Sequence, residues 1–200
     1  MRKGEFEIRT RGSKMKRTVV LFLVVTSALF LSLAAAGQDR EKLDKRQQAL
    51  KEDVPHLLCL DERIATGGQP KDSAYSKLAA EGFRAVLNLR TESEGVDLKH
   101  EQEEIEKAGL RYISIPFVSS APKDDKVDQF IKAVKDNNNQ PILIHCGSAN
   151  RVGALWMIYR VIDQGWTEEK ALDEAIRIGL TSQVLKTFAH EYIASHTGKK

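Results

Sequence analysis

Ile142, Leu143 and Ile144, flanked by Pro141 and His145, make a strand-length run with no polar side chain. A strand with one wet face alternates apolar and polar residues. A run apolar on both faces belongs at the centre of a parallel sheet covered by helices. The preceding sequence supplies the partners. Residues 63–66 read as a short strand stopped by Gly67 and Gly68, and a helix starts at Pro70 and reaches Ala80, with Gly82 beyond its end. Residues 84–89 form a second strand, and a charged helix from Asp97 to Ala108 is ended by Gly109. Residues 112–115 form a third strand, closed by Pro116. A helix beginning at Asp124 or Asp125 places Val127, Phe130, Ile131 and Val134 on one face. Further helices are expected over residues 151–162, 167–178 and 182–193. This alternation means βαβ crossovers: an α/β fold with a central, mostly parallel sheet flanked by helices. The 200 residues suffice for one such domain and a short extension.

The extension is N-terminal. Lys14, Lys16 and Arg17 precede apolar residues 19–25 and 28–31, and the small residues Ser32, Ala34, Ala35, Ala36 and Gly37 follow. A basic start, an apolar core and an Ala-x-Ala end are the three parts of a secretory signal peptide. Cleavage after Ala36 is the favoured expectation, with Met15 as an alternative start. The competing expectation is an uncleaved single-span anchor whose basic end stays in the cytoplasm. Either places the domain outside the cytoplasm, periplasmic or secreted, with membrane contact only through residues 1–36. Residues 37–56 are charge-rich and read as a linker or peripheral helix, and the folded domain is expected over residues 57–200. Residues 1–36 hold seven basic and two acidic residues, so the chain's net charge of +3 leaves −2 on the remainder. That body lacks the basic excess that nucleic-acid binding requires.

The segment after the central strand, His145-Cys146-Gly147-Ser148-Ala149-Asn150-Arg151, carries the chemistry. In open α/β sheets, sites lie beyond the carboxyl ends of the strands, where Cys146 stands. Gly147, Ser148 and Ala149 are small, so their backbone amides can turn toward a ligand, and Asn150 tolerates a left-handed conformation. Arg151 then opens a helix. Amides converging at a helix N-terminus make an anion cradle, and the same positive field stabilises a thiolate. The Arg151 guanidinium can present a planar fork to two anionic oxygens. Cys146 is thus the candidate nucleophile and Arg151 the clamp, with residues 147–151 as the phosphate-binding loop. Each residue also has a plainer role available: inert packing for Cys146, a core imidazole for His145, an ion pair for Arg151. Their coincidence in one strand–loop–helix favours chemistry. Cys59 is the second cysteine, and a Cys59–Cys146 disulfide, structural or reversible, is the alternative reading of the pair.

His-Cys, a short loop, then Arg opening a helix resembles the protein tyrosine and dual-specificity phosphatase superfamily. The wider sequence is similar to a bacterial branch of it, the beta-lactamase-hydrolase-like or dual-specificity-like phosphatases. That similarity is carried by residues 64–70, residues 82–90, the Ile115-Pro116 turn and residues 145–153, and covers residues 57–195. It implies a phosphatase fold, a phosphocysteine intermediate, a phosphorylated protein or small molecule as substrate, and no metal or other cofactor. Three departures bear on function. Four residues separate Cys146 from Arg151 where most tyrosine phosphatases have five, and rhodanese-type sulfurtransferases use a loop of this length. Val152 stands where a hydroxyl residue usually assists release of the cysteine, which predicts slow turnover unless Ser148 substitutes. Phe117-Val118-Ser119-Ser120 occupies the loop where an Asp usually supplies the general acid, and Asp124 and Asp125 read better as helix-capping residues. A sulfurtransferase acting through a Cys146 persulfide, and a catalytically weak module that binds phosphorylated ligands, are therefore the alternatives.

Overall fold

The computed structural model describes residues 37–197. The expected signal or anchor over residues 1–36 lies outside the described residues. Five strands, β1 (Leu58–Cys59), β2 (Ile64–Gly67), β3 (Ala85–Asn88), β4 (Arg111–Ser114) and β5 (Ile142–His145), form one sheet in the order β1-β2-β5-β3-β4. β5 is central and pairs in parallel with β2 and β3; β3 pairs in parallel with β4, and only β1 is antiparallel. The apolar run sits where its composition requires: Ile142, Leu143 and Ile144 are fully buried. Their side chains alternate between two cores. Ile142 and Ile144 join one cluster with Leu87, Phe130, Leu155 and Trp156; Leu143 joins the other with Leu50, Tyr75, Leu78, Val86 and Ile105.

Helix α1 covers residues 37–50, followed by α2 (Asp72–Ala80), α3 (Leu98–Lys107), α4 (Asp124–Lys135), α5 (Asn150–Ile162), α6 (Glu168–Ile178) and α7 (Gln183–Thr197). The helices α4, α5, α6 and α7 cover one face of the sheet, and α2 and α3 the other. Residues 151–160 of α5 are buried without interruption, so this helix is central to its layer. The ends of helices follow capping chemistry. Asp97 accepts the His100 N–H at 2.9 Å to start α3, and Thr167 accepts the Lys170 N–H at 3.4 Å to start α6. Asp124 and Asp125 do not cap α4 by side chain; they occupy its first turn, where their charge complements the helix dipole. Packing also extends before residue 57. Arg46, Leu50 and Val54 are buried; Arg46 donates to the Glu62 and Glu81 carbonyls at 2.9 and 3.1 Å and stacks over Phe83. The i, i+4 spacing of these three positions was masked in the sequence by the charged residues between them.

Candidate active site

The end of β2 holds the Cys146 loop from one side. Gly67 aligns with His145, and Gly68 forms an isolated bridge to Ser148. Gln69 N–H donates to the Gly147 carbonyl at 3.2 Å. The approach is too close for a larger residue at Gly68: a Cβ there would stand 3.1 Å from the Gly147 oxygen and 3.2 Å from the Pro55 oxygen. The sequence read Gly67-Gly68 as a strand stop; it also lets β2 run against the loop.

The loop climbs from β5 into α5. Cys146 is buried, Gly147 and Ser148 are exposed, and Ala149 is buried with φ 62°, ψ −2°. The left-handed turn expected at Asn150 therefore falls one residue earlier. Asn150 is the first residue of α5, ahead of Arg151, and its side chain is used elsewhere. Its Oδ1 accepts the Thr181 and Ser182 N–H groups at 2.8 Å each, and its Nδ2 donates to Thr181 Oγ1 at 3.0 Å. Those bonds tie the loop to the α6–α7 turn and help hold an alanine in a conformation that costs about 1–3 kcal/mol. Val152 is fully buried.

Arg151 is buried, and both terminal nitrogens of its guanidinium are engaged. Nη1 donates to the Leu89 and Phe117 carbonyls at 3.1 Å each and to Glu94 Oε1 at 2.6 Å; Nη2 donates to Glu94 Oε2 at 2.7 Å. Burial opposes the charge of Arg151. Hydrogen bonding to Glu94 and the nearby Cys146 and Glu94 charges outweigh it and raise its pKa. Glu94 is held further by Thr91 N–H at 2.8 Å and Arg90 Nε at 3.0 Å. Burial pushes its carboxyl up, but the bonds from Arg151, Thr91 and Arg90 prevail and hold it down at about 2. A Cβ at Gly147 would lie 3.8 Å from Arg151 Nη2 and 3.9 Å from Glu94 Oε2. A carboxylate thus occupies the fork of Arg151 at the exposed rim of the loop, with the two oxygens in the bidentate geometry that two phosphoryl oxygens would take.

Behind the loop lies a buried polar network centred on Glu101 of α3. Its Oε1 accepts from Gln69 Nε2 at 2.6 Å and from the Tyr75 hydroxyl at 2.9 Å, and its Oε2 accepts from Asn88 Nδ2. His145 Nε2 lies 3.4 Å from Glu101 Oε1, and neither ring nitrogen has a hydrogen-bond partner among the described residues. Burial pushes the His145 imidazole down to about 4 against the pull of Glu101, so it is neutral at pH 7. The network continues outward. Asn88 Oδ1 accepts Arg90 N–H at 2.7 Å, and Gln69 Oε1 accepts from Arg90 Nη1 at 2.9 Å. Glu101 is therefore linked through Gln69, Asn88 and Arg90 to Glu94 and Arg151.

The loop residues singled out in the sequence, Cys146 to Arg151, come together as one unit. Asp124 and Asp125 stand apart from it: Asp125 accepts from Gln129 on the surface, and Asp124 lines a cavity with Gln183, Val184 and Phe188. The sequence reading missed Glu94 and Glu101. Cys59 and Cys146 are both free thiols. Cys59 aligns with Ala65 and Ala65 with Leu143, so β1 is two strands from β5, and Cys146 lies three residues further along. Each offset is about 10 Å, beyond the span of about 7 Å that a disulfide bridges. The two thiols also belong to opposite faces of the sheet.

This geometry agrees with the comparisons. A family model described as "DSP-PTPase phosphatase fused to NAD+ Kinase" matches residues 46–191. A beta-lactamase hydrolase-like protein of Xylella fastidiosa is 30% identical over 112 residues, 54% of this chain and 25% of that protein, so the chain spans about a quarter of that relative's length. The core catalytic domain of the Saccharomyces cerevisiae PP-IP phosphatase SIW14 superposes with a TM-score of 0.59 at 20% identity, over 73% of this chain and 96% of the domain. Pseudomonas aeruginosa TpbA, in complex with phosphotyrosine, superposes with a TM-score of 0.58 at 17% identity, over 72% of this chain and 91% of TpbA. Fold, loop and family model converge: the chain belongs to the DSP-PTPase phosphatase family of cysteine-dependent phosphatases.

Proposed function

We propose that this protein hydrolyses phosphomonoesters, carried on a protein or a small molecule, through a phosphocysteine intermediate on Cys146. The observation that carries the reading is the Arg151 fork, which holds two carboxylate oxygens at 2.6 and 2.7 Å beside the loop of Cys146. In the reaction, two phosphoryl oxygens replace those of Glu94. The Leu89 and Phe117 carbonyls keep Arg151 in place during the exchange. Cys146 attacks phosphorus as the thiolate, while Arg151 and the backbone amides of residues 147–151 stabilise the equatorial oxygens. Water then cleaves the phosphorus–sulfur bond and releases phosphate.

Dual specificity is the substrate type that TpbA's own description suggests, and a TpbA structure holds phosphotyrosine; SIW14 is described instead as a PP-IP phosphatase. Export from the cytoplasm is part of the proposal and rests on the basic, apolar and small-residue order of residues 14–37. N-terminal sequencing of the periplasmic protein should begin at Gly37. Hydrolysis of p-nitrophenyl phosphate by wild type, Cys146→Ser and Arg151→Ala tests the chemistry. Loss of turnover in both variants is expected; turnover surviving Cys146→Ser rules the mechanism out. Thiosulfate-to-cyanide sulfur transfer without phosphatase activity would establish the sulfurtransferase alternative instead.

A further inference from the structure

We propose that Glu94 is the proton donor to the leaving-group oxygen, freed for that role when the phosphoryl group takes its place on Arg151. This inference rests on the phosphatase reading above. The loop after β4, residues 117–123, contains no carboxylate, and Asp124 and Asp125 sit in the first turn of α4, where the bonds of Arg151 do not reach them. Glu94 reaches the loop from another direction, the short 3-10 turn Glu92–Glu94 after β3. That turn has no buried residue and is followed by Gly95 in the left-handed conformation. A turn with so little packing can release a side chain without disturbing the core.

Two tethers keep the displaced carboxyl close. Thr91 N–H and Arg90 Nε both hold it independently of Arg151. Arg90 is itself fixed by Gln69 and Asn88. Glu94 therefore remains beside the phosphoryl group that displaced it. The charged groups facing it are Arg90, from the end of β3, and Arg151, from α5, with Cys146 beside Arg151. Entry of a dianion redirects Arg151 from Glu94 to the phosphoryl oxygens and sets a second negative charge next to the carboxylate. Both changes favour the protonated form. Substrate binding thus converts a resting anion, by uptake of one proton from solvent, into an acid at the site of bond cleavage.

The bonds and charges balance. The Cys146 thiolate forms the sulfur–phosphorus bond as the phosphorus–oxygen ester bond breaks, and the Glu94 carboxyl gives its proton to the departing oxygen. The products are the alcohol or phenol, phosphocysteine and the Glu94 carboxylate. In the second step that carboxylate takes a proton from water, whose oxygen attacks phosphorus. Hydrogen phosphate leaves, the Cys146 thiolate is restored, and the Glu94 carboxyl returns its proton to solvent as it pairs with Arg151 again.

Glu94→Gln tests this, because glutamine keeps the size and an acceptor oxygen for Arg151. Wild type and variant are assayed with p-nitrophenyl phosphate, whose leaving group departs unaided, and with phenyl phosphate, whose leaving group needs a proton. Vanadate affinity and thermal melting are measured alongside. The variant should lose about 10²-fold or more of kcat on phenyl phosphate and less than about 10-fold on p-nitrophenyl phosphate. The fall of wild-type kcat at high pH on phenyl phosphate should disappear. Equal losses on both substrates with weaker vanadate binding would overturn the proposal and leave Glu94 as a positioning residue for Arg151. Faster turnover with tighter vanadate binding would overturn it in favour of a simple plug. If wild type hydrolyses neither substrate, it is the phosphatase reading that fails.

Discussion

Replacing Glu101 with alanine should cost this domain about 3–5 kcal/mol. The magnitude follows from what the carboxylate holds. Gln69, Tyr75 and Asn88 all donate to it, and its side chain is 7% exposed. Alanine leaves three donors facing an apolar gap, each losing about 1–3 kcal/mol when unpaired and buried. Relief of the carboxylate's own desolvation offsets part of that sum. For a domain of this size each kcal/mol moves the melting midpoint by about 2–4 °C, so Tm should fall by about 10 °C. Glu101→Gln keeps one acceptor but turns an NH2 group toward the remaining donors, and should cost about 1–2 kcal/mol. Glu103 on the same helix, 62% exposed and paired with Lys99 at 3.7 Å, is the control. Glu103→Ala should change stability by less than about 0.5 kcal/mol. The assay is urea denaturation followed by circular dichroism, with the m-value compared across variants. Glu101→Ala within about 0.5 kcal/mol of wild type at an unchanged m-value would refute the account of the network. Because Glu101 is linked through Gln69 and Asn88 to Arg90, kcat/KM on p-nitrophenyl phosphate should fall as well.

The buried His145 sets a pH dependence. Its folded pKa is depressed from 6.5 to about 4 by burial, so the unfolded chain binds the extra proton between those values and stability falls as pH drops through that window. His145→Gln should flatten this component; identical pH–stability curves for the two proteins would contradict it. Burial pushes the Cys59 thiol up to about 11, so iodoacetamide at pH 7 should spare Cys59. Mass mapping of the alkylated peptides reads this out, and predominant labelling of Cys59 would count against it. At Gly153 in α5, a Cβ would lie 2.7 Å from the Ala175 oxygen and 2.9 Å from Leu180 Cβ. Gly153→Ala should therefore destabilise by about 1–3 kcal/mol, against the usual gain from removing a helical glycine. An increase in Tm would show that the α5–α6 contact is looser than described.

Much of the fold was legible because its signals are local. The apolar run of β5, the glycines after the helices and the strand–helix alternation each reflect chemistry within about ten residues. Strand β1 was not legible, because two residues cannot establish a period and its pairing is set by the turn to β2. Glu101 was hidden in a helix whose other charges face water. Its one local clue is Ile105, four residues on and buried on the same face. Glu94 carried a local signal as well, since Thr91 and Glu94 have capping-box spacing before Gly95. That spacing explains the turn but says nothing of Arg151, which lies 57 residues away in sequence. The Cys146 loop was legible as a candidate site because the proposed nucleophile, the small residues and the proposed clamp are contiguous. The partner of its guanidinium was not, because only the fold brings the β3–α3 segment to the start of α5. The shift of the left-handed turn from Asn150 to Ala149 has the same origin: the α6–α7 turn claims the asparagine side chain.

The most direct test is rapid acid quench of the enzyme turning over p-nitrophenyl phosphate, followed by mass spectrometry of the Cys146 peptide. A phosphoryl group on Cys146 should be formed and lost on the timescale of turnover. Cys146→Ser should show no adduct and no hydrolysis. Turnover without a phosphorylated Cys146 peptide, or turnover retained in Cys146→Ser, would contradict the mechanism.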